Sequence, residues 1–131
     1  LQRRIDIRRA HFEAYQAELS ALPGIEFMPV ADPEAANYWL TCLTVDSETS
    51  GSSRDALIAA LEAADIEARP LWKPLHLQPV FKEKICHGGE LAAGLFKDGL
   101  CLPSGSGMHQ SDRKAVITTI KATLAQGRSK L

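Results

Sequence analysis

The chain has 131 residues, and its 15 basic and 16 acidic side chains give a formal net charge of −1. This balance argues against a nucleic-acid-binding protein, and the apolar runs are short and interrupted by charges, so no transmembrane span is expected. The length fits one small globular domain.

The three cysteines predict reduced thiols in a cytoplasmic protein. Cys42, Cys86 and Cys101 are odd in number and show no CxxC spacing. Cys86 stands beside His87, but two adjacent ligands without a distant second pair make a poor tetrahedral site. We therefore expect no metal.

The N-terminal part alternates helix and strand signals. Apolar residues recur at three, four and seven positions over residues 1–22 and predict a first helix, which a Pro-Gly pair ends. Residues 25–30 alternate in polarity and predict a short strand. Residues 38–45 are rich in strand-forming side chains and predict the central strand, and the Ser-rich run 47–53 predicts a flexible turn.

A second helix is predicted in the middle of the chain. Ser52, followed three residues later by Asp55, resembles a capping box, and the helix that it opens is expected to end near Ala64. Ile66 and Ala68 then predict a short strand that leads into a proline-rich loop.

The C-terminal part predicts two more helices around one strand. The first covers residues 89–97 and is stopped by Gly99, a brief strand covers residues 100–102, and the last helix begins at Ser111. Helices interleaved with short strands predict an α/β fold, a small sandwich in which a short mixed or antiparallel sheet is covered by helices on one face.

The loop over residues 69–81, RPLWKPLHLQPVF, holds three of the seven prolines and one of the two tryptophans. Proline fixes φ and restricts the residue before it, so a stiff, extended loop is expected. Such a loop presents its side chains to a ligand at little entropic cost. The candidate binding residues are Arg69, Trp72, Lys73, His76 and Gln78.

Composition alone favours a plainer interpretation of this loop. In that alternative the loop is a rigid connector, and its large apolar side chains, Leu71, Trp72, Leu75 and Phe81, cover a core. The remaining histidines, His11, His87 and His109, are predicted on solvated faces or turns without a function. Residues 102–108, LPSGSGM, lack a phosphate-loop pattern and are predicted to be a turn.

The loop resembles that of the sugar-nucleotide aminotransferases of the DegT/StrS group, and the resemblance extends along nearly the whole chain. Residues 3–27 resemble the helix and first strand of that family's small domain, and residues 36–46, ANYWLTCLTVD, resemble its next strand. Residues 88–108, GGELAAGLFKDGLCLPSGSGM, resemble its closing signature of a glycine pair, a helix and LPSG.

This resemblance implies a C-terminal small domain of the aspartate-aminotransferase fold, fold type I, over residues 1–131, with 1–22 as an interdomain helix. The large domain, which binds pyridoxal phosphate and supplies the Schiff-base lysine, is expected upstream. Lys73 is not expected to replace that lysine, since a catalytic lysine needs a desolvated pocket. The chain alone is therefore expected to be inactive, with no catalytic or cofactor-binding residue of its own.

For the full-length protein, the resemblance implies a homodimeric aminotransferase that converts a nucleotide-linked 4-keto sugar into the 4-amino sugar, with glutamate as donor. The loop form resembles members that make amino sugars for bacterial surface glycans or glycoproteins. The same family also contains dehydratases and regulatory paralogues that bind pyridoxal phosphate without the lysine. A lysine or a histidine in the large domain distinguishes transamination from dehydration.

The loop inherits a substrate-side role from this resemblance by position. Trp72 would stack on a sugar or base, and Arg69 and Lys73 would meet a diphosphate or the donor's carboxylate. His76 would reach the nucleotide sugar, and Gln78 would hold hydroxyl groups.

Overall fold

A four-stranded antiparallel sheet forms the centre of the molecule in this computed structural model, which describes residues 1–129. The predicted domain's residues 130 and 131 lie outside the described part. The strands are β1 (Ile25–Phe27), β2 (Thr41–Val45), β3 (Arg69–Pro70) and β4 (Gly99–Leu102). Their order is β1-β2-β4-β3, and each neighbouring pair is antiparallel. The prediction of an α/β fold with an antiparallel sheet is confirmed, and β2 is one of the two inner strands.

In the described part of the chain, five α-helices and two 3₁₀ turns accompany the sheet. The helices are α1 (Gln2–Leu19), α2 (Ser47–Ser50), α3 (Arg54–Glu62), α4 (Glu90–Asp98) and α5 (Gln110–Arg128). The 3₁₀ turns cover Leu75–Leu77 and Pro79–Phe81. Within residues 1–129, none of these helices is both long and apolar enough to span a bilayer.

The alternation along β2 determines which face of the sheet carries the core. Thr41, Leu43 and Val45 are buried, whereas Cys42 and Thr44 point to the other face and are half-buried. Helices α1, α3 and α5 close the core on the first face, whereas α4 lies outside that core. Its members are Tyr15, Leu19, Ile25, Leu43, Val45, Leu57, Leu61, Leu100, Leu102, Val116, Ile120 and Leu124.

The start of α3 differs from the prediction by one residue. Ser53 caps the helix, and its hydroxyl accepts a hydrogen bond from the Ala56 N–H at 3.2 Å. Ser52 is buried instead, and its carbonyl accepts a hydrogen bond of 2.8 Å from the Ser50 hydroxyl. The predicted capping box from Ser52 is therefore wrong, because that serine turns inward.

The Ser-rich run is also more ordered than a flexible turn. Asp46 caps α2 by accepting from the Glu48 N–H at 3.0 Å, and Gly51 ends the helix at φ 74°. Gly51 packs backbone to backbone against α5, where a side chain on Gly127 would overlap the Gly51 carbonyl. Tertiary packing thus folds a segment whose composition predicts a turn.

The third strand begins three residues later in the chain than predicted, at Arg69 instead of Ile66. Ile66 and Ala68 pack partly buried against the core, and the ladder forms at Arg69 and Pro70. These two residues pair with Cys101 and the residue before it on β4. The sheet partner, rather than local β propensity, determines where β3 begins.

Candidate functional site

The proline-rich loop leaves the sheet from a fixed base. Its first residue after β3, Leu71, donates its N–H to the Gly99 carbonyl at 3.0 Å and is half-buried. The Leu71 side chain fills the space beside Gly99, since a Cβ on that glycine would overlap it. The sheet therefore fixes the position of the loop's beginning.

Beyond Leu71 the loop folds into turns and is not extended throughout, which corrects the prediction. Leu77 donates its N–H to the Pro74 carbonyl at 3.0 Å in the first 3₁₀ turn, and Pro79 opens the second. The fixed φ of proline suits the first position of a helical turn. The prolines thus start the two turns rather than keep the whole segment extended.

Trp72 lies on the surface and not in a core. It is 70% exposed, and its ring lies 6.0 Å from that of Trp39, which is 57% exposed. The Trp39 backbone is held on both sides, since its N–H donates to the Asn37 side chain at 3.0 Å and its carbonyl accepts from the Ser104 hydroxyl at 2.9 Å. Within residues 1–129 Trp72 therefore covers no core, whereas Leu71, another member of the connector interpretation, packs against Gly99.

Trp39 is an exposed aromatic residue that the sequence does not single out as a candidate. It belongs to the run 38–45 that predicts the central strand, but β2 begins only at Thr41, and Trp39 therefore lies outside the sheet. In the structure Trp39 and Trp72 form an exposed aromatic pair, with rings tilted by 45°. Such a pair offers apolar faces on which a sugar or a base can stack.

The two cationic candidates lie in different surroundings. Arg69 is exposed and forms an ion pair with Glu67, to which its Nε donates at 2.7 Å. Lys73 is exposed beside Trp72, and its backbone carbonyl accepts a hydrogen bond of 3.3 Å from the Gln78 side chain. Gln78 is thus engaged within the loop, whereas the Lys73 ammonium takes part in none of the ion pairs described for residues 1–129.

His76 packs against the beginning of α4. Gly89 caps that helix at φ 104°, and a Cβ there would lie 2.8 Å from the His76 ring and 3.2 Å from the Cys86 sulfur. His76 and Cys86 line a cleft of about 310 Å³, whereas Arg69 lines a separate cleft of about 250 Å³ with Cys101. The five predicted residues share one loop but do not converge on one cavity.

His11 is the histidine that the prediction placed wrongly. It is 4% exposed, and its Nδ1 lies 3.2 Å from a guanidinium nitrogen of Arg113. Burial and the nearby Arg113 charge lower the pKa of His11. A polar residue is expected on the solvent side of an amphipathic helix, but His11 lies on the buried side of α1 with Phe12 and Tyr15.

The described residues do not fit a pyridoxal phosphate site. A Schiff-base lysine needs a desolvated pocket, and the pyridine nitrogen needs an acidic partner. Lys73 is exposed, and none of the ion pairs among residues 1–129 joins it to a carboxylate. Lys73 therefore lacks the desolvated pocket that a Schiff-base lysine needs.

Comparison with known sequences places this chain in one family of aminotransferases. A sequence model of the DegT/DnrJ/EryC1/StrS aminotransferase family matches residues 1–121. The chain is 40% identical over 124 residues to EpsN of Bacillus subtilis (strain 168), a proposed pyridoxal phosphate-dependent aminotransferase, covering 92% of the chain and 31% of that protein. It is 32% identical over 120 residues to the GDP-perosamine synthase of Vibrio cholerae, covering 89% of the chain and 32% of that protein. The chain therefore spans about a third of the length of these relatives.

Solved structures share the fold. The aminotransferase TlmJ from Streptoalloteichus hindustanus matches with a TM-score of 0.78 at 26% identity, over 93% of this chain and 32% of its own. DesI, solved in the presence of its TDP-sugar product, matches with a TM-score of 0.80 at 25% identity, over 95% and 32%. Helicobacter pylori PseC reaches 0.80 at 11% identity over 93% and 33%, which shows the fold alone.

Proposed function

Because this chain belongs to the DegT/DnrJ/EryC1/StrS aminotransferase family, we propose that it is the C-terminal small domain of a pyridoxal phosphate-dependent sugar aminotransferase. The whole protein converts a nucleotide-linked 4-keto sugar into the 4-amino sugar, with glutamate as amino donor. It works as a cytoplasmic homodimer in surface glycan or glycoprotein biosynthesis, and residues 1–22 connect the two domains. The small domain contributes the loop of residues 69–81 to the substrate side.

The observation that carries this proposal is the exposure of Trp72 on a loop whose base is fixed. Trp72 is 70% exposed and forms one apolar surface with the exposed Trp39. Contiguous exposed apolar surface of this kind marks a binding site. Lys73 lies next to it in the chain and takes part in none of the ion pairs described for residues 1–129. Indole faces stack on sugars and bases, and an ammonium group pairs with a diphosphate. The named relatives act in nucleotide-sugar chemistry, since one is a GDP-perosamine synthase and another was solved with a TDP-sugar product.

The apolar surface around the loop supports the assignment as a domain of a larger protein. Leu75, Val80 and Ile85 are 65%, 73% and 88% exposed. Clustered exposed apolar side chains in a monomeric protein mark a surface that contacts another protein part. The relatives are about three times as long as this chain, and we propose that the large upstream domain expected for the family covers this surface.

A product analysis of the full-length protein tests the reaction. The protein is incubated with a nucleotide-linked 4-keto sugar and glutamate, and 2-oxoglutarate and the sugar product are quantified by mass spectrometry. We expect equal amounts of 2-oxoglutarate and the amino sugar. Loss of a sugar hydroxyl without 2-oxoglutarate would identify a dehydratase and refute the proposed reaction.

Single substitutions in the full-length protein test the loop. Removing a base or sugar stack costs roughly 1–3 kcal/mol, so Trp72→Ala is expected to raise the Michaelis constant for the nucleotide sugar by about 5- to 150-fold. Lys73→Ala and His76→Ala are expected to act in the same direction. Lys114→Ala, an exposed lysine on α5, is the matched control and leaves the kinetics unchanged. Unchanged kinetics in all three loop variants would remove the loop from the site.

A further inference from the structure

Two cysteines face each other across the inner strands of the sheet. Cys42 on β2 is the direct register partner of Cys101 on β4, and their sulfur atoms lie 3.6 Å apart. Both side chains are half-buried on the face opposite the helical core, and both are free thiols. Cys86, the third cysteine, is exposed and lies on the loop before α4.

The two cysteines occupy the kind of antiparallel pair in which the side chains lie closest together, the non-hydrogen-bonded pair. In an antiparallel strand, the N–H and carbonyl of one residue point to the same side, so a residue bonded to one neighbour is unbonded towards the other. The Cys42 carbonyl accepts from the Met28 N–H at 3.1 Å and so points away from β4. The Gly99 carbonyl, two residues before Cys101, accepts from Leu71 on the β3 side. Cys42 and Cys101 therefore form a non-hydrogen-bonded pair.

This geometry suits a disulfide bond. Non-hydrogen-bonded partners have Cα atoms about 4.5 Å apart, within the range of about 4.4–6.8 Å that disulfides span. The sulfurs need to approach from 3.6 Å to about 2.05 Å, a change that small rotations of the two side chains supply without moving either strand.

The two thiols are also chemically unequal. The two sulfurs share a hydrogen bond in which either thiol can donate, and donation from Cys42 lowers the pKa of Cys101 to about 7. The same bond, together with burial, raises the pKa of Cys42. A thiolate at Cys101 is thus present near neutral pH, and the thiolate is the form that attacks a disulfide.

We propose that Cys42 and Cys101 form a redox-modification site that closes reversibly into a cross-strand disulfide when it meets a small disulfide oxidant such as oxidised glutathione. The Cys101 thiolate attacks one glutathione sulfur, which forms a mixed disulfide and releases glutathione thiolate. Cys42 then loses its proton to solvent and attacks the Cys101 sulfur, which releases the second glutathione. The two cysteines lose two electrons in total, and the oxidant is reduced to two thiols.

The surroundings give the oxidant access to the pair. Cys101 lines the cleft of about 250 Å³ that it shares with Leu40, Arg69 and Ser104. The Arg69 guanidinium at this cleft attracts the carboxylates of a glutathione molecule, although Glu67 shares its charge. The disulfide would join β2 to β4, the strand that also holds the base of the loop.

The test uses the full 131-residue chain with Cys86→Ser, so that the pair provides the only thiols. The protein is incubated with oxidised glutathione, quenched with iodoacetamide, and analysed by intact mass and peptide mapping. We expect loss of two hydrogens, a linked pair of peptides carrying Cys42 and Cys101, and full recovery of both thiols with dithiothreitol. In the same background, Cys42→Ala is expected to retain one glutathione on Cys101, because the resolving thiol is gone.

Other outcomes overturn the proposal. A folded Cys86→Ser protein that keeps glutathione on both cysteines, or whose thiols react only after unfolding in urea, shows that the pair does not close. Circular dichroism checks the fold of each variant. If a variant does not fold, peptide mapping of the unsubstituted chain decides, since a linkage of Cys86 to either partner would also contradict the assignment.

Discussion

The free energy of unfolding of the Trp72→Ala variant shows whether Trp72 lies on the surface or in a core. A tryptophan that is 70% exposed has less than a third of its surface covered. A large aromatic residue buries roughly 250 Å² in a core, so the covered part of Trp72 amounts to about 75 Å². At ~25 cal/mol per Å², burial of this area contributes about 2 kcal/mol to the free energy of unfolding. The denatured chain covers part of this area too, so we expect a loss of about 1–2 kcal/mol in the free energy of unfolding.

The matched core variant is Leu43→Ala on β2. Leu43 is 1% exposed, and truncation of a buried leucine costs about 2–5 kcal/mol. Urea unfolding followed by far-UV circular dichroism compares the two variants without relying on tryptophan fluorescence, which the Trp72 substitution itself alters. A loss at Trp72 as large as that at Leu43, with the same slope against urea, would refute the exposed placement of the loop.

Three further outcomes are expected for the chain. Gly99→Ala is expected to cost about 1–3 kcal/mol in urea unfolding because its Cβ would overlap Leu71 and a backbone carbonyl, whereas Gly94→Ala, which meets open space within α4, is expected to raise stability by about 0.5–1 kcal/mol. The alkylation rate of Cys101, measured by mass spectrometry, is expected to rise with pH through a midpoint near the pKa of about 7, and Cys42→Ala is expected to move that pKa up towards about 8.5 because the hydrogen-bond donor is lost. Incubation with pyridoxal phosphate followed by borohydride is expected to leave Lys73 without stoichiometric label, and a full label there would contradict its exclusion as the Schiff-base lysine.

The parts of the fold that the sequence predicts are those with a strong local signal. The strand-forming run over residues 38–45 predicts a strand that forms as β2 at Thr41–Val45, and the last helix, predicted from Ser111, forms as α5 from Gln110. The flexible turn predicted for the Ser-rich run is wrong because part of that run forms α2, whose end at Gly51 packs against the distant helix α5. The two-residue strand β3 likewise depends on its partner β4. Local patterns do not contain either contact.

The candidate site shows the same division between local and distant information. The prolines predict a constrained loop, and of its five candidate residues Arg69, Trp72 and Lys73 are exposed, whereas His76 and Gln78 are half-buried. Composition could not reveal the contact between Trp39 and Trp72, the burial of His11, or the pairing of the cysteines. Each of these depends on which residues the sheet register and helix packing bring together from positions far apart in the chain.

Strand β4 connects the two surfaces proposed here. Its Cys101 faces Cys42 on one side and pairs with Arg69 on the other, and its Gly99 carbonyl holds Leu71 at the base of the loop. A cross-strand bond to β2 would therefore restrain the same strand that positions the loop. Beyond Leu71 the loop has a second contact where His76 packs against the beginning of α4, and Trp72, Lys73 and Leu75 between these two points are exposed. Rigidity at the base together with exposure beyond it suits a loop that closes on a ligand held by another part of the protein.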